Sequence, residues 1–166
     1  SFDPDALAIL SGIGSLAGTA IQDARLFDQL QNAHQRYRDL YNNSIDAIFI
    51  TDGTGKILET NHPALDFTGL PQYELLQKFI SEIHQMDTEI LGGKLESIDP
   101  KDTLSYESEL ITQSEPKVPI QVHVHMIQIA GLYHLQWTFR DITERKELDQ
   151  LRDDLLSMVY HDLRSP

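Results

Sequence analysis

The sequence contains no cysteine. A disulfide, a thiolate metal site and cysteinyl-flavin photochemistry are therefore excluded. It is also poor in positive charge, with 13 Lys and Arg against 26 Asp and Glu and a formal net charge of −13. Nucleic acid and anionic membrane surfaces both require basic patches, so neither is an expected partner. No glycine-rich, Asn-containing nucleotide-binding region occurs, and no secretory leader is recognisable. The most apolar stretch, Ala6 to Ile21, runs for about 16 residues, short of the roughly 20 that cross a bilayer. Gly14 and Gly18 lie in it at small-xxx-small spacing, while Ser11, Ser15 and Thr19 dilute it and Asp5 and Asp23 bracket it. The expectation is a buried helix of a soluble, cytoplasmic protein, with no membrane span. A length of 166 residues suffices for one compact domain plus extended helices.

What is present begins with a helix start. Asp3 is placed to cap, Pro4 suits the first helical position, and Asp5 faces the positive end of the dipole. Leu10, Ile13, Ala17, Ala20, Ala24 and Phe27 recur at spacings of three and four, and small residues among them permit close helix pairing. The run from Leu7 to Leu30, with Ala24-Arg25-Leu26-Phe27, resembles the terminal helix of a GAF domain whose sheet is missing. From Gln29 to Tyr41 the helix turns polar and reads as a linker. The first segment is thus 1–43, a GAF-terminal helix and linker coiled coil.

The segment 44–143 reads as the folded domain. Ala47–Thr51 and Lys56–Thr60 form a hairpin about the turn Asp52-Gly53-Thr54-Gly55. Asn61 caps a short helix carrying Ala64, Leu65 and Phe67 and ending at Gly69, and Pro71 starts another through Leu76. A helix is expected over Asp87–Leu91 between loops. Strands are expected at Leu104–Gln113 and Val118–Ile129, separated by a turn at Ser114-Glu115-Pro116-Lys117, and then from Tyr133 to Phe139. Ile120, Val122, Val124 and Met126 alternate with Gln121, His123 and His125, and Tyr133, Leu135, Trp137 and Phe139 alternate with His134, Gln136 and Thr138. One sheet face is therefore apolar and the other polar.

Asn61, Ala64 and Gly69 fit the Asn-x-x-Ala-x-x-x-x-Gly pattern of PAS domains, and Asp141-Ile142-Thr143-Glu144-Arg145 resembles the junction at which that family joins sheet to signalling helix. Asp141 and Glu144 also have capping-box spacing. The resemblance implies an α+β fold: a PAS-like five-stranded antiparallel sheet with short helices on one side, flanked by long N- and C-terminal coiled-coil helices. It implies a pocket, of unknown ligand, lined by inward residues such as Tyr133, Leu135 and Trp137. A filled core that senses nothing fits the same apolar strands. His123, His125 and His134 lack the acid or cysteine that would complete a metal set, and His84 lacks a haem signature, so no metal and no cofactor is expected in this chain.

The last segment, 144–166, is a helix with Leu148, Leu151, Leu155 and Met158 at coiled-coil spacing. His161-Asp162-Leu163-Arg164-Ser165-Pro166 follows it. This resembles the phosphoacceptor box of sensor histidine kinases, commonly His-Glu-Leu-Arg-Thr-Pro; Ser165 stands where Thr or Asn is commoner, and Tyr160 where the family usually has Ser. The resemblance implies that His161 accepts phosphoryl while Asp162 orients its Nδ1–H so that Nε2 attacks. Arg164 would offer a planar cation to phosphate oxygens, and Ser165 would position a water for dephosphorylation. ATP and Mg would belong to a kinase domain in the parent protein. A homodimer through both terminal helices and a response-regulator receiver domain are the implied partners.

Overall fold

A computed structural model describes residues 3–111 and 116–164. The chain divides into two units, Ser1–Tyr41 and Asn42–Pro166, and each is described by itself.

The first unit is one helix, α1 (Pro4–Asn42). It starts as its sequence dictates, with the Asp3 carboxylate accepting from the Asp5 N–H at 3.2 Å. The Tyr37 and Tyr41 rings stack one turn apart, centroids 5.6 Å. The expected burial of Ala6–Ile21 is not observed. No residue of α1 is buried, because the unit holds no second element to cover its seam. By length and composition alone α1 is apolar and long enough to cross a membrane.

The second unit is built on a five-stranded antiparallel sheet of order β2-β1-β5-β4-β3. The strands are β1 (Ala47–Thr51), β2 (Ile57–Thr60), β3 (Thr103–Glu109), β4 (Pro119–Ile129) and β5 (Leu132–Asp141). Two short helices, α2 (His62–Thr68) and α3 (Gln72–Leu75), follow β2, and α4 (Thr143–Arg164) follows β5. Phe49 pairs with Trp137 and Val122 with Phe139 across neighbouring strands. Their side chains therefore share the face on which Ala64 of α2 and Leu75 of α3 are buried. Alternation placed β4 and β5 correctly, since Ile120, Val122, Val124, Leu135, Trp137 and Phe139 are all buried.

Asn61 explains why β2 gives way to α2 at that point. Its Oδ1 accepts from the N–H of Ile48 at 2.9 Å and of Ala64 at 3.1 Å, and its Nδ2 donates to the Asp46 carbonyl at 3.1 Å. One buried amide thus caps the helix and ties β1 to it. The Gly69 N–H closes the far end on the Leu65 carbonyl at 2.9 Å.

Two expected elements are shorter than the sequence suggested. Asp87–Leu91 is a single turn: Asp87 accepts from the N–H groups of Glu89 and Ile90 and, at its carbonyl, from Leu91. Gly92 and Gly93 follow with φ of 72° and 80°, a left-handed pair that cannot continue a right-handed helix. β3 ends at Glu109 because Leu110 turns in to bridge His84. Thr112 to Glu115, which include part of the expected turn, lie outside the described residues.

Candidate functional site

The chain carries two places where chemistry or recognition was expected. The first is the last turn of α4. The side chains of His161 and Asp162 are 85% and 84% exposed, with His161 Nδ1 4.0 Å from Asp162 Oδ1. That separation exceeds a direct hydrogen bond, and both ring nitrogens stand open to solvent. Arg164 shares this last turn, where the carbonyl end of the helix favours positive charge. Ser165 lies outside the described residues. Leu148, Leu151, Leu155 and Met158 are each more than half exposed along one side of α4. An exposed imidazole offers a ring-nitrogen lone pair that can act as a nucleophile.

The second is the apolar face of the sheet. Leu135 and Trp137 are 1% and 0% exposed, whereas Tyr133 is 61% exposed. β1 pairs with β5 only from Leu135 onward, so Tyr133 stands past the covered part of the sheet and lines no interior space. Trp137 Nε1 donates to Thr51 Oγ1 at 3.0 Å, and the Phe49 and Phe139 rings pack with centroids 4.9 Å apart.

His84 is wholly buried among these rings, with its centroid 4.7 Å from that of Phe139 and 5.6 Å from that of Trp137. Nδ1 lies 2.9 Å from the Ile80 carbonyl, which can only accept, so Nδ1 carries the proton. Nε2 then accepts from the Tyr106 hydroxyl at 2.5 Å. Burial lowers the His84 pKa from 6.5 to about 4, opposed in part by the bond to Ile80. Burial, reinforced by the charge of Asp87, raises that of Tyr106. With both nitrogens occupied, His84 has no lone pair free for a haem iron.

Clefts lie beside this core. One of about 450 Å³ runs past Ser81, His84, Met86 and Leu110. Another of about 440 Å³ lies between Asp87, Glu89 and the β3 residues Glu107 and Glu109. His123 and His125 face the polar side of the sheet opposite Thr138 and Gln136, and His134 pairs with Ile127. Among the described residues no group of His, Asp and Glu is disposed to hold a metal ion.

The junction to α4 differs in detail from its motif. The Asp141 carboxylate accepts from the N–H of Thr143 at 2.8 Å and from its hydroxyl, rather than forming the expected reciprocal box with Glu144. The reason is register: α4 begins at Thr143, so Ile142 is the capping residue. Ile142 is buried, and its N–H donates to the Pro119 carbonyl at 3.1 Å. Glu107 of β3 accepts from both Arg145 and Lys146. The hydrogen bond from Lys146, joined by the two positive charges and opposed by slight burial, holds the Glu107 carboxyl below the usual range. Sequence reasoning missed Glu107, because nothing local marks a contact spanning 38 residues. It also missed Tyr106 as a partner of His84, although Leu104, Tyr106 and Ser108 alternate.

A five-stranded antiparallel sheet with short helices on one face and a helix leaving its last strand is an α+β architecture of the PAS type. The chain belongs to the PAS family: residues 35–142 match the PAS fold. It is 24% identical over 136 residues to the methyl sulfide methyltransferase-associated sensor of Methanosarcina acetivorans, covering 81% of this chain and 14% of that protein. It is 28% identical over 153 residues to sporulation kinase A of Bacillus subtilis, covering 82% of this chain and 25% of that one. The chain thus spans a quarter or less of the curated relatives it matches. Among solved structures, the PAS domain of an HTR-like protein from Haloarcula marismortui superimposes with a TM-score of 0.64 at 23% identity, over 72% of this chain and 99% of that one. That likeness concerns the fold.

Proposed function

We propose that this chain is the sensing and relay segment of a two-component sensor histidine kinase, with His161 as its phosphoacceptor. The observation that carries this reading is the solvent-open imidazole of His161 on a helix that continues directly from the last strand of the sheet. Similarity to sporulation kinase A, a protein named as a kinase, supports a kinase parent. In the step proposed, neutral Nε2 attacks the γ-phosphorus of ATP. An N–P bond forms, the bridging P–O bond breaks, and ADP leaves with the electron pair. Asp162 is adjacent and holds Nδ1–H when the rotamers close the 4.0 Å gap; Arg164 offers its guanidinium to the phosphoryl oxygens, and Ser165 positions a water for dephosphorylation. The phosphoryl group then passes to an aspartate of a response-regulator receiver domain.

In this reading α1 is the end of a GAF domain and a linker, and the exposed seams of α1 and α4 close on a second copy as a parallel coiled-coil homodimer in the cytoplasm. ATP and Mg are bound by a separate kinase domain. Sedimentation at micromolar concentration tests the assembly: a dimer is expected, and a monomer contradicts it. The acceptor is tested by radiolabel from ATP on the wild type beside His161→Gln.

A second reading, a small-molecule sensor with no chemistry of its own, competes with a filled-core relay. The ring packing of His84, Trp137, Phe139 and Phe49 on the apolar face favours the relay. Native mass spectrometry separates the two. The bare polypeptide mass is expected, and a retained small molecule would favour the sensor.

A further inference from the structure

We propose that Glu107 is a latch that fixes the direction of α4 and that β3 sets it according to the state of the segment around His84. The proposal rests on the reading of α4 as the output helix. Among the described residues β3 is an edge strand, paired with β4 alone. Successive side chains on a strand point to opposite faces, so Tyr106 and Glu107 report to different sides of the sheet. On the inner side the Tyr106 hydroxyl meets His84 Nε2, the Ser108 hydroxyl donates to the Gln85 carbonyl at 2.6 Å, and Leu110 bridges His84 through the backbone. The segment at His84–Gln85 is therefore tied to β3. On the outer side Glu107 takes hydrogen bonds from Arg145 and Lys146 in the first turn of α4.

The geometry makes this a latch rather than a pivot. Two cations on adjacent helical residues, each on its own carboxylate oxygen, restrict both the tilt and the rotation of α4. A single pair would restrict neither fully. All three side chains are close to half exposed, and exposed ion pairs are individually weak. The contact is therefore strong enough to bias a direction and weak enough to be released. A displacement of the His84–Gln85 segment, which walls the cleft at Ser81 and Leu110, shifts β3 at Tyr106 and Ser108 and so moves Glu107 relative to its cations.

Native absence of cysteine makes the test direct. Nitroxide labels at Glu59→Cys on the outer sheet edge and Asp153→Cys on α4 give an intramolecular distance distribution, with labelled chains diluted in unlabelled ones. Glu107→Gln is expected to broaden the distribution by about two-fold, as expected for loss of a weak orienting pair. Glu107→Lys combined with Arg145→Glu and Lys146→Glu is expected to restore its width. Tyr106→Phe, with Glu107 intact, is expected to broaden it as well, while fluorescence of the single tryptophan, Trp137, stays that of a buried indole. A Glu107→Gln distribution that superimposes on the parent would overturn the latch; an unchanged Tyr106→Phe distribution would overturn its link to the core. His161→Gln is expected to leave the distances unaltered, so loss of phosphoryl acceptance and loss of the latch are read separately.

Discussion

The phenol of Tyr106 donates to Nε2 of His84 across 2.5 Å, joining β3 to the irregular segment that closes the core. With Nδ1 holding its proton for the Ile80 carbonyl, Nε2 accepts the phenol hydrogen in the neutral imidazole, whereas protonation would turn the phenol oxygen into the acceptor. Burial among the core rings makes the folded protein resist protonation of His84, whose pKa is lowered from 6.5 to about 4.

The consequence is a pH dependence of definite sign. Between pH 6.5 and about 4 the unfolded chain binds a proton at this position and the folded chain does not. Stability is then full above pH 6.5 and falls as the pH drops toward 4, by about 3 kcal/mol from this group. Urea unfolding at stepped pH measures it. His84→Gln is expected to be less stable at neutral pH and to lose most of the slope in this window, and an unchanged slope would remove His84 as the cause.

Asn61 serves three backbone groups at once. Asn61→Ala leaves the Ile48 N–H and the Asp46 carbonyl unpaired in the interior and uncaps α2. A loss of about 2–4 kcal/mol is expected. Asn61→Asp keeps the two accepting contacts and is expected to cost less at the cap, while turning the donor to Asp46 into a repulsion. Chemical denaturation of the three proteins under one buffer decides the order.

The β4–β5 turn carries the opposite opportunity. Ala130 has φ of 50° and Gly131 φ of 79°, a left-handed pair that matches the twist of a two-residue hairpin. Alanine pays about 1 kcal/mol for this region. Ala130→Gly is expected to raise stability by about 0.5–1 kcal/mol, seen as a higher melting temperature with no change in far-ultraviolet dichroism.

These elements differ in how readable they were. Alternation fixed the inward residues of β4 and β5, because a half-buried strand must repeat every two residues. Asn61 and Gly69 were legible because a helix start and stop each need a particular local chemistry. The seam of α1 was legible as a pattern but not as burial, since periodicity says that a face is apolar and not what covers it. Asp87–Leu91 forms one turn rather than a helix, because the five residues from the capping aspartate up to the left-handed glycine pair leave no room for a second turn. Tyr133 fits the inward alternation of β5, yet β1 does not extend far enough to cover it. Glu107 and its two cations lie on elements distant in sequence, and the His84–Tyr106 bond depends on how an irregular loop packs. Neither leaves a local trace. His161 is singled out as a candidate only by the five residues that follow it, Asp162 to Pro166, not by any property of its own.

The most direct measurement is transfer of labelled phosphate from ATP to this chain, with a histidine-kinase ATP-binding domain and the remaining half of the helical hairpin supplied. The account predicts label that is stable to base and lost in acid, as a phosphorus–nitrogen bond behaves, mapping to His161 and missing from His161→Gln. Label that persists undiminished in His161→Gln, or a wild-type chain that takes none, would contradict it.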